Sequence, residues 1–321
     1  MSGRSLDEYR SPLFLAWQLT NRCEARCLAC CEESGPDKAW RDELGRDEAM
    51  NLVRQTIDLG IPYVAFGGGE PLSVPFVFDI LTQLAEAGIA IKLETNGHHI
   101  DAETADRLHT IGVDCIQISL DGATAQTHQA IRPGSSFEAA LSAVDRLAAL
   151  GTAPQWVFAP TARNIHDIVP AFERAAQHGC SAFVTGPLMR LGRAAAAWGH
   201  LACDQATWQD AVTALRKRAA ELDASIALNI YPWDIVTELT CRLDSPQAML
   251  LVVPNGRVKL LNALPFSPAD LRRDSLAQAW QAYRAAWRTP EVRDFINRCQ
   301  TDPGLLRHAN ETWDMPNALV A

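Results

Sequence analysis

The chain has 321 residues, 48% of them hydrophobic, enough for one large core plus a small appendage. A formal net charge of −9 and the lack of any concentrated Lys/Arg stripe argue against a nucleic-acid partner. No apolar run reaches the roughly 18 residues of a membrane span and no basic, apolar leader opens the sequence, so neither membrane insertion nor secretion is expected. Nine cysteines are too few for a disulfide scaffold of this size, so a reducing, cytoplasmic setting is expected.

The first predicted element is an apolar strand over 13–20. Three cysteines follow it directly, Cys23, Cys27 and Cys30, spaced C-x3-C-x2-C. Three thiolates cannot complete a tetrahedral zinc site or all four corners of a cubane cluster, since both normally take four ligands. The loop therefore reads as a metal site with one position left open, and an open position marks a reactive centre. On spacing alone, zinc and a redox dithiol remain alternatives to an iron–sulfur cluster.

Beyond the cysteines, apolar strands alternate with amphipathic helices. A helix over 47–59, with Met50, Val53 and Ile57 at helical spacing, leads to a strand over 63–66. Helix 76–87 leads to strand 89–94, helix 101–110 to strand 115–120, helix 136–150 to strand 155–158, and helix 168–177 to strand 182–185. Gly60, Gly88, Gly112, Gly151 and Gly179 each follow a predicted helix, where a left-handed C-terminal cap favours glycine. Six such repeats imply a parallel sheet and are too few for a complete eight-stranded barrel. The expected architecture is α/β, a partial (β/α)6 parallel barrel over 13–195, with a lead-in over 1–12 and a small α+β extension over 196–321.

Ligands of parallel α/β folds bind at the carboxyl ends of the strands, and the unusual residues gather there. Strand two ends in Gly67-Gly68-Gly69-Glu70-Pro71, strand three in Glu94-Thr95-Asn96-Gly97, and strand four in Ser119 followed by Asp121-Gly122. Glycines at a strand end let a ligand approach the backbone.

The run Trp17-Gln18-Leu19-Thr20-Asn21-Arg22-Cys23-x3-Cys27-x2-Cys30, the Gly68-Gly69-Glu70-Pro71 segment, and Ile118-Ser119-Leu120-Asp121-Gly122 with His128, Arg132 and Ser136-Phe137 together resemble the radical S-adenosylmethionine (radical SAM) superfamily. The closer likeness is to its branch with SPASM or twitch extensions. The resemblance covers roughly 13–193. It implies one [4Fe–4S] cluster on Cys23, Cys27 and Cys30, with S-adenosylmethionine chelating the fourth iron. One electron from the reduced cluster would cleave the sulfonium to a 5′-deoxyadenosyl radical that abstracts hydrogen from substrate. By the same match, Gly68, Gly69, Glu70 and Pro71 would bind the cofactor's amino group, with Glu70 its charge partner. Ser119 and Arg132 would face its carboxylate, Asn96 its ribose, and Leu191 with Gly192-Arg193 its adenine. The family's aromatic residues beside the third cysteine are missing, replaced by Ala29 and Cys31. Cys31 could compete as a ligand, and Cys30 is preferred for its spacing.

In the last third, a helix over 205–222 precedes an apolar segment over 225–230 and then Cys241. The stretch 249–253, Asn255-Gly256 and 258–261 reads as a hairpin with a type I′ turn. A Trp-rich helix over 276–287 and Cys299 follow. This order resembles a SPASM-type extension, yet Leu261-Asn262 stands where that pattern wants a cysteine, so the extension reads as degenerate. A second, auxiliary cluster is not expected, because Cys180, Cys203, Cys241 and Cys299 would have to converge from distant places. Cys241 is instead the candidate for a hydrogen-atom donor.

The expected function is modification of a ribosomally made peptide, which the 119–137 stretch favours. About a dozen residues precede strand one, so a separate leader-peptide-binding protein is expected rather than a fused domain. A flavodoxin- or ferredoxin-type protein is the expected electron donor. A radical epimerase or dehydrogenase acting on a small molecule, an aminocyclitol or tetrapyrrole precursor, is the alternative. A non-catalytic iron–sulfur redox or scaffold protein is the third reading, disfavoured by the intact motifs.

Overall fold

The computed structural model describes residues 6–222 and 226–315. The six expected β/α units are all present: β1 (Phe14–Thr20), α1 (Arg46–Asp58), β2 (Tyr63–Gly68), α2 (Val77–Glu86), β3 (Ala90–Thr95), α3 (Ala102–Ile111), β4 (Cys115–Ser119), α4 (Ala125–Ile131), α5 (Phe137–Ala149), β5 (Gln155–Phe158), α6 (Ile168–Gln177) and β6 (Ala182–Thr185). The short α4 escaped the sequence reading, having too few residues to show a period. All five glycines expected to cap helices adopt positive φ.

The remainder comprises α7 (Gly192–Ala196), α8 (Trp198–Leu201), α9 (Gln205–Glu221), β7 (Ala227–Ile230), α10 (Ile235–Asp244), β8 (Met249–Val252), β9 (Arg257–Lys259), β10 (Phe266–Ser267), β11 (Ala269–Asp270), α11 (Leu276–Ala286), α12 (Pro290–Thr301) and β12 (Trp313–Asp314). Ser225, the first residue of the expected 225–230 segment, lies outside the described residues.

One ten-stranded sheet, ordered β11-β9-β8-β1-β2-β3-β4-β5-β6-β7, runs through the molecule. It crosses the sequence-derived boundary at 195 twice: β7 pairs parallel with β6, and β8 pairs parallel with β1. Eight neighbouring strands are thus paired in parallel, and β9 runs opposite to them, antiparallel to both β8 and β11. Among the described residues β7 ends the order and does not meet β8, which leaves the barrel open on that side.

The hairpin forms, with a different turn. Gly256 takes positive φ but Asn255 does not, and the Gly256 N–H donates to the Val253 carbonyl. Pro254 presets the φ of an ordinary first turn position, so the left-handed residue falls one place later than a type I′ turn requires.

The two faces of the parallel sheet differ in chemistry. The outer face, including Leu15, Trp17, Phe66, Ile91, Ile118 and Trp156, is buried under the helices. The inner face carries Gln18, Lys92, Glu94 and Gln117, all half-buried or exposed. Trp156 is wholly buried, and its indole N–H donates to the Leu120 carbonyl at 2.7 Å. Trp156→Phe orphans that carbonyl and is expected to cost about 1–3 kcal/mol, measured by urea unfolding followed by far-UV circular dichroism.

Candidate functional site

The cysteine loop leaves β1 at the carboxyl edge of the sheet and is held by its backbone from several sides. The Cys23 N–H donates to the Gly35 carbonyl at 3.1 Å, Arg26 N–H to Pro133 at 2.7 Å, and Leu28 N–H to Ile131 at 2.8 Å. Arg193, just beyond β6, grips the loop three times. Its N–H donates to the Cys30 carbonyl at 3.0 Å, its Nε to the Cys27 carbonyl at 2.7 Å, and an Nη to the Ser34 carbonyl at 2.7 Å. The preceding residue must be glycine: a Cβ on Gly192 would lie 2.3 Å from the Cys31 carbonyl oxygen, and φ there is +50°.

The segment after β2 presses on the start of the same loop. Gly69 N–H donates to the Thr20 carbonyl at 2.7 Å and Glu70 N–H to the Arg22 carbonyl at 2.8 Å. A Cβ on Gly69 would stand 2.0 Å from the Arg22 oxygen. Gly68 and Gly69 are thus demanded by chain crossing, while Pro71 opens a single 3-10 turn, Pro71–Ser73.

Glu70 does not present a free carboxylate. It is wholly buried and accepts from Leu72 N–H at 3.1 Å, Thr95 Oγ at 2.8 Å and Asn96 N–H at 2.9 Å. Burial pushes its pKa up to about 7. These bonds tie the end of β2 to the end of β3. Asn96 points at the thiols, with Nδ2 at 3.7 Å from Cys23 Sγ and 3.0 Å from Glu24 Oε1. Arg132 is anchored by the buried Asp121 at 2.6 Å and directs Nη1 to 3.6 Å from Cys27 Sγ. Leu191 is buried and precedes α7. The neighbouring Arg193, grouped with it by the sequence, belongs to the cysteine loop instead.

Cys23 is buried, whereas Cys27, Cys30 and Cys31 are half-buried. Desolvation pushes the Cys23 thiol up to about 12, so it needs a cationic partner to ionise. Among the described residues no group of three His, Cys, Asp or Glu side chains is placed to hold a metal ion. Thiolates on a cubane bind different irons and stand further apart than the ligands of one ion. The donor set fits such a cluster: three thiols on one braced loop, two of them facing N–H donors on Asn96 and Arg132.

Beside the loop opens a cleft of about 400 Å³, within the range of small-ligand sites. Ala29, Cys31 and Ser119 form its cysteine end, with Lys92, Glu94 and Gln117 on one wall. The lining from β5, β6 and the segments after them is more apolar, with Val157, Pro160, Val184, Leu188 and Met189. Lys92 and Glu94 pair at 2.6 Å. Cys241 lies on α10 and is not among the cleft-lining residues, so the structure does not bring the expected hydrogen donor to the cleft. The thiol that lines it is Cys31.

Gly69→Ala is expected to displace the start of the loop and abolish iron uptake on reconstitution, read as iron per chain. His128, buried beneath Arg132, accepts from Asp121 N–H through Nδ1 at 3.1 Å. Burial, with the charge of Arg132 next, lowers its pKa from 6.5 to about 3. The unfolded chain therefore takes a proton that the folded one refuses as pH falls through this window. Stability from this group is complete above pH 6.5 and declines toward pH 3, by up to about 1.4 kcal/mol per pH unit. His128→Gln should flatten that part of the stability–pH curve in urea titrations.

A sequence model described as the Radical SAM superfamily matches residues 17–186. The chain is 32% identical over 185 residues to an AdoMet-dependent heme synthase of Methanosarcina barkeri, covering 57% of this chain and 52% of that protein. It is 33% identical over 199 residues to the mycofactocin maturase MftC of Mycobacterium tuberculosis, covering 62% and 49%. The chain thus spans about half the length of the curated relatives it matches. Its fold is similar to that of Streptococcus suis SuiB bound to the precursor peptide SuiA, with a TM-score of 0.71 at 14% identity, covering 92% of this chain and 70% of that one.

Proposed function

The chain belongs to the radical SAM superfamily, and from that premise we propose that it is an enzyme that holds one [4Fe–4S] cluster on Cys23, Cys27 and Cys30, binds S-adenosylmethionine beside it, and abstracts hydrogen from a peptide. The observation that carries this reading is the braced cysteine loop beside the cleft, with Ala29 and Cys31, the residues on either side of Cys30, in the cleft lining. When bound, the pair supplies reductive cleavage of the sulfonium and a carbon radical for hydrogen abstraction.

The chain's own residues serve placement and exclusion of water. Arg193 and Gly69 hold the thiols in register with the strand ends. Arg132, fixed by Asp121, keeps a positive charge at Cys27, suited both to a thiolate and to a carboxylate nearby. The Ser119 hydroxyl and the polar wall receive hydrogen-bonding groups, while the apolar wall packs flat or aliphatic ones. A separate peptide-binding protein and a flavodoxin- or ferredoxin-type donor complete the proposal.

Peptide modification is supported by the maturase relative and by the precursor peptide bound in SuiB. A second reading, action on a tetrapyrrole, is favoured by the heme synthase relative.

The test is anaerobic reconstitution with iron and sulfide, then dithionite-driven cleavage of S-adenosylmethionine. Wild type should take up about four irons per chain and yield 5′-deoxyadenosine, while a Cys23→Ala, Cys27→Ala, Cys30→Ala variant should do neither. A formed cluster without cleavage sinks the enzymatic reading. A Soret shift on adding a propionate-bearing iron porphyrin would favour the second reading.

A further inference from the structure

We propose that Asn310, on the C-terminal extension, is a positioning residue for the third ligand cysteine: with Arg193 it clamps the two consecutive peptides that flank Cys31, just after Cys30. The inference rests on the reading that Cys30 ligates the cluster. The extension, which shows no cysteine pattern for a cluster of its own, thereby acts on the first one.

Asn310 Nδ2 donates to the Cys31 carbonyl at 2.8 Å and to Glu33 Oε2 at 3.0 Å, across 279 and 277 residues of sequence. Arg193 N–H holds the adjacent Cys30 carbonyl at 3.0 Å. Two consecutive carbonyls are therefore each gripped by a donor from a different distant segment. The two donors also share a support, because α7, which carries Arg193, packs on the 3-10 turn Pro303–His308 just before Asn310.

Two further observations lead to the same residue. Glu33 is the one non-glycine at positive φ among the described residues, at 57°. Such a conformation persists only where surroundings impose it, and Asn310 holds the Glu33 carboxylate. The placement of Asn310 is itself fixed: the buried Lys259 of β9 donates to the carbonyl of Ala309. Through β8 and β1 the grip returns to the strand from which the cysteine loop departs. Hydrogen bonds that orient ligands from behind typically change metal retention by about 10–100-fold.

The experiment compares full-length wild type with Asn310→Asp, which keeps the size but cannot donate, and Asn310→Ala, which avoids a new charge beside Glu33. In cluster-free protein, hydrogen exchange of amides in 24–36 should quicken about tenfold or more, with the other segments unchanged. After reconstitution, bathophenanthroline should strip iron about tenfold faster from both variants, and the reduced cluster's electron paramagnetic resonance line shape should change. Wild-type exchange in both variants overturns the clamp. Faster exchange with unchanged chelation and line shape overturns its link to the third ligand. If wild type itself took up no cluster, the cluster reading would fail, while the exchange comparison would still decide whether Asn310 holds the loop.

Discussion

Everything at this site depends on satisfying the backbone of one irregular loop that carries Cys23, Cys27, Cys30 and Cys31. Buried carbonyls and amides must find partners, and the loop's own backbone bonds, such as Cys23 N–H to Gly35, satisfy only some of them. The molecule supplies others from outside, through Arg193 to the carbonyls of Cys27, Cys30 and Ser34, and through Gly69 and Glu70 to those of Thr20 and Arg22. Such contacts require main chains to cross almost in touch. Glycine at 69 and 192 follows from that crossing, since a Cβ at either place would lie within 2.3 Å of a carbonyl oxygen.

The sheet provides the second constraint. A closed eight-stranded barrel fills its interior with bulky branched side chains. Here eight strands are parallel but the ends do not join among the described residues, and the inner face carries Gln18, Lys92, Glu94 and Gln117. Stability therefore resides on the outer face, where Leu15, Phe66, Ile118 and Trp156 are buried under helices. The inner face is released from packing and can hold an amphipathic cleft next to the thiols. Fold and site draw on opposite faces of the same strands.

The segment after residue 195 belongs to this arrangement rather than standing beside it. β7 extends the sheet past β6, β8 extends it past β1, and Asn310 reaches back to the cysteine loop. Glu70 illustrates a related economy of position: its carboxylate accepts from three donors on its own and the neighbouring strand end. Those three bonds hold the start of the loop after β3 against the end of β2.

The local patterns were legible in the chain itself. The six β/α units, their glycine caps, the C-x3-C-x2-C loop and the Gly-rich turn each rest on residues close in sequence, where period, cap chemistry and spacing act. The family follows from the order of those motifs. What only the tertiary structure decided involves partners far apart: the two added parallel strands, the grip of Arg193 and Asn310 on the cysteine loop, the inward engagement of Glu70, and the placement of Cys31 rather than Cys241 on the cleft. Register between distant strands and the satisfaction of loop carbonyls depend on packing across the whole sheet. Arg193 and Asn310 are single residues in no periodic pattern, and their roles exist only once the chain has brought them within 3.0 Å of carbonyls more than a hundred residues away.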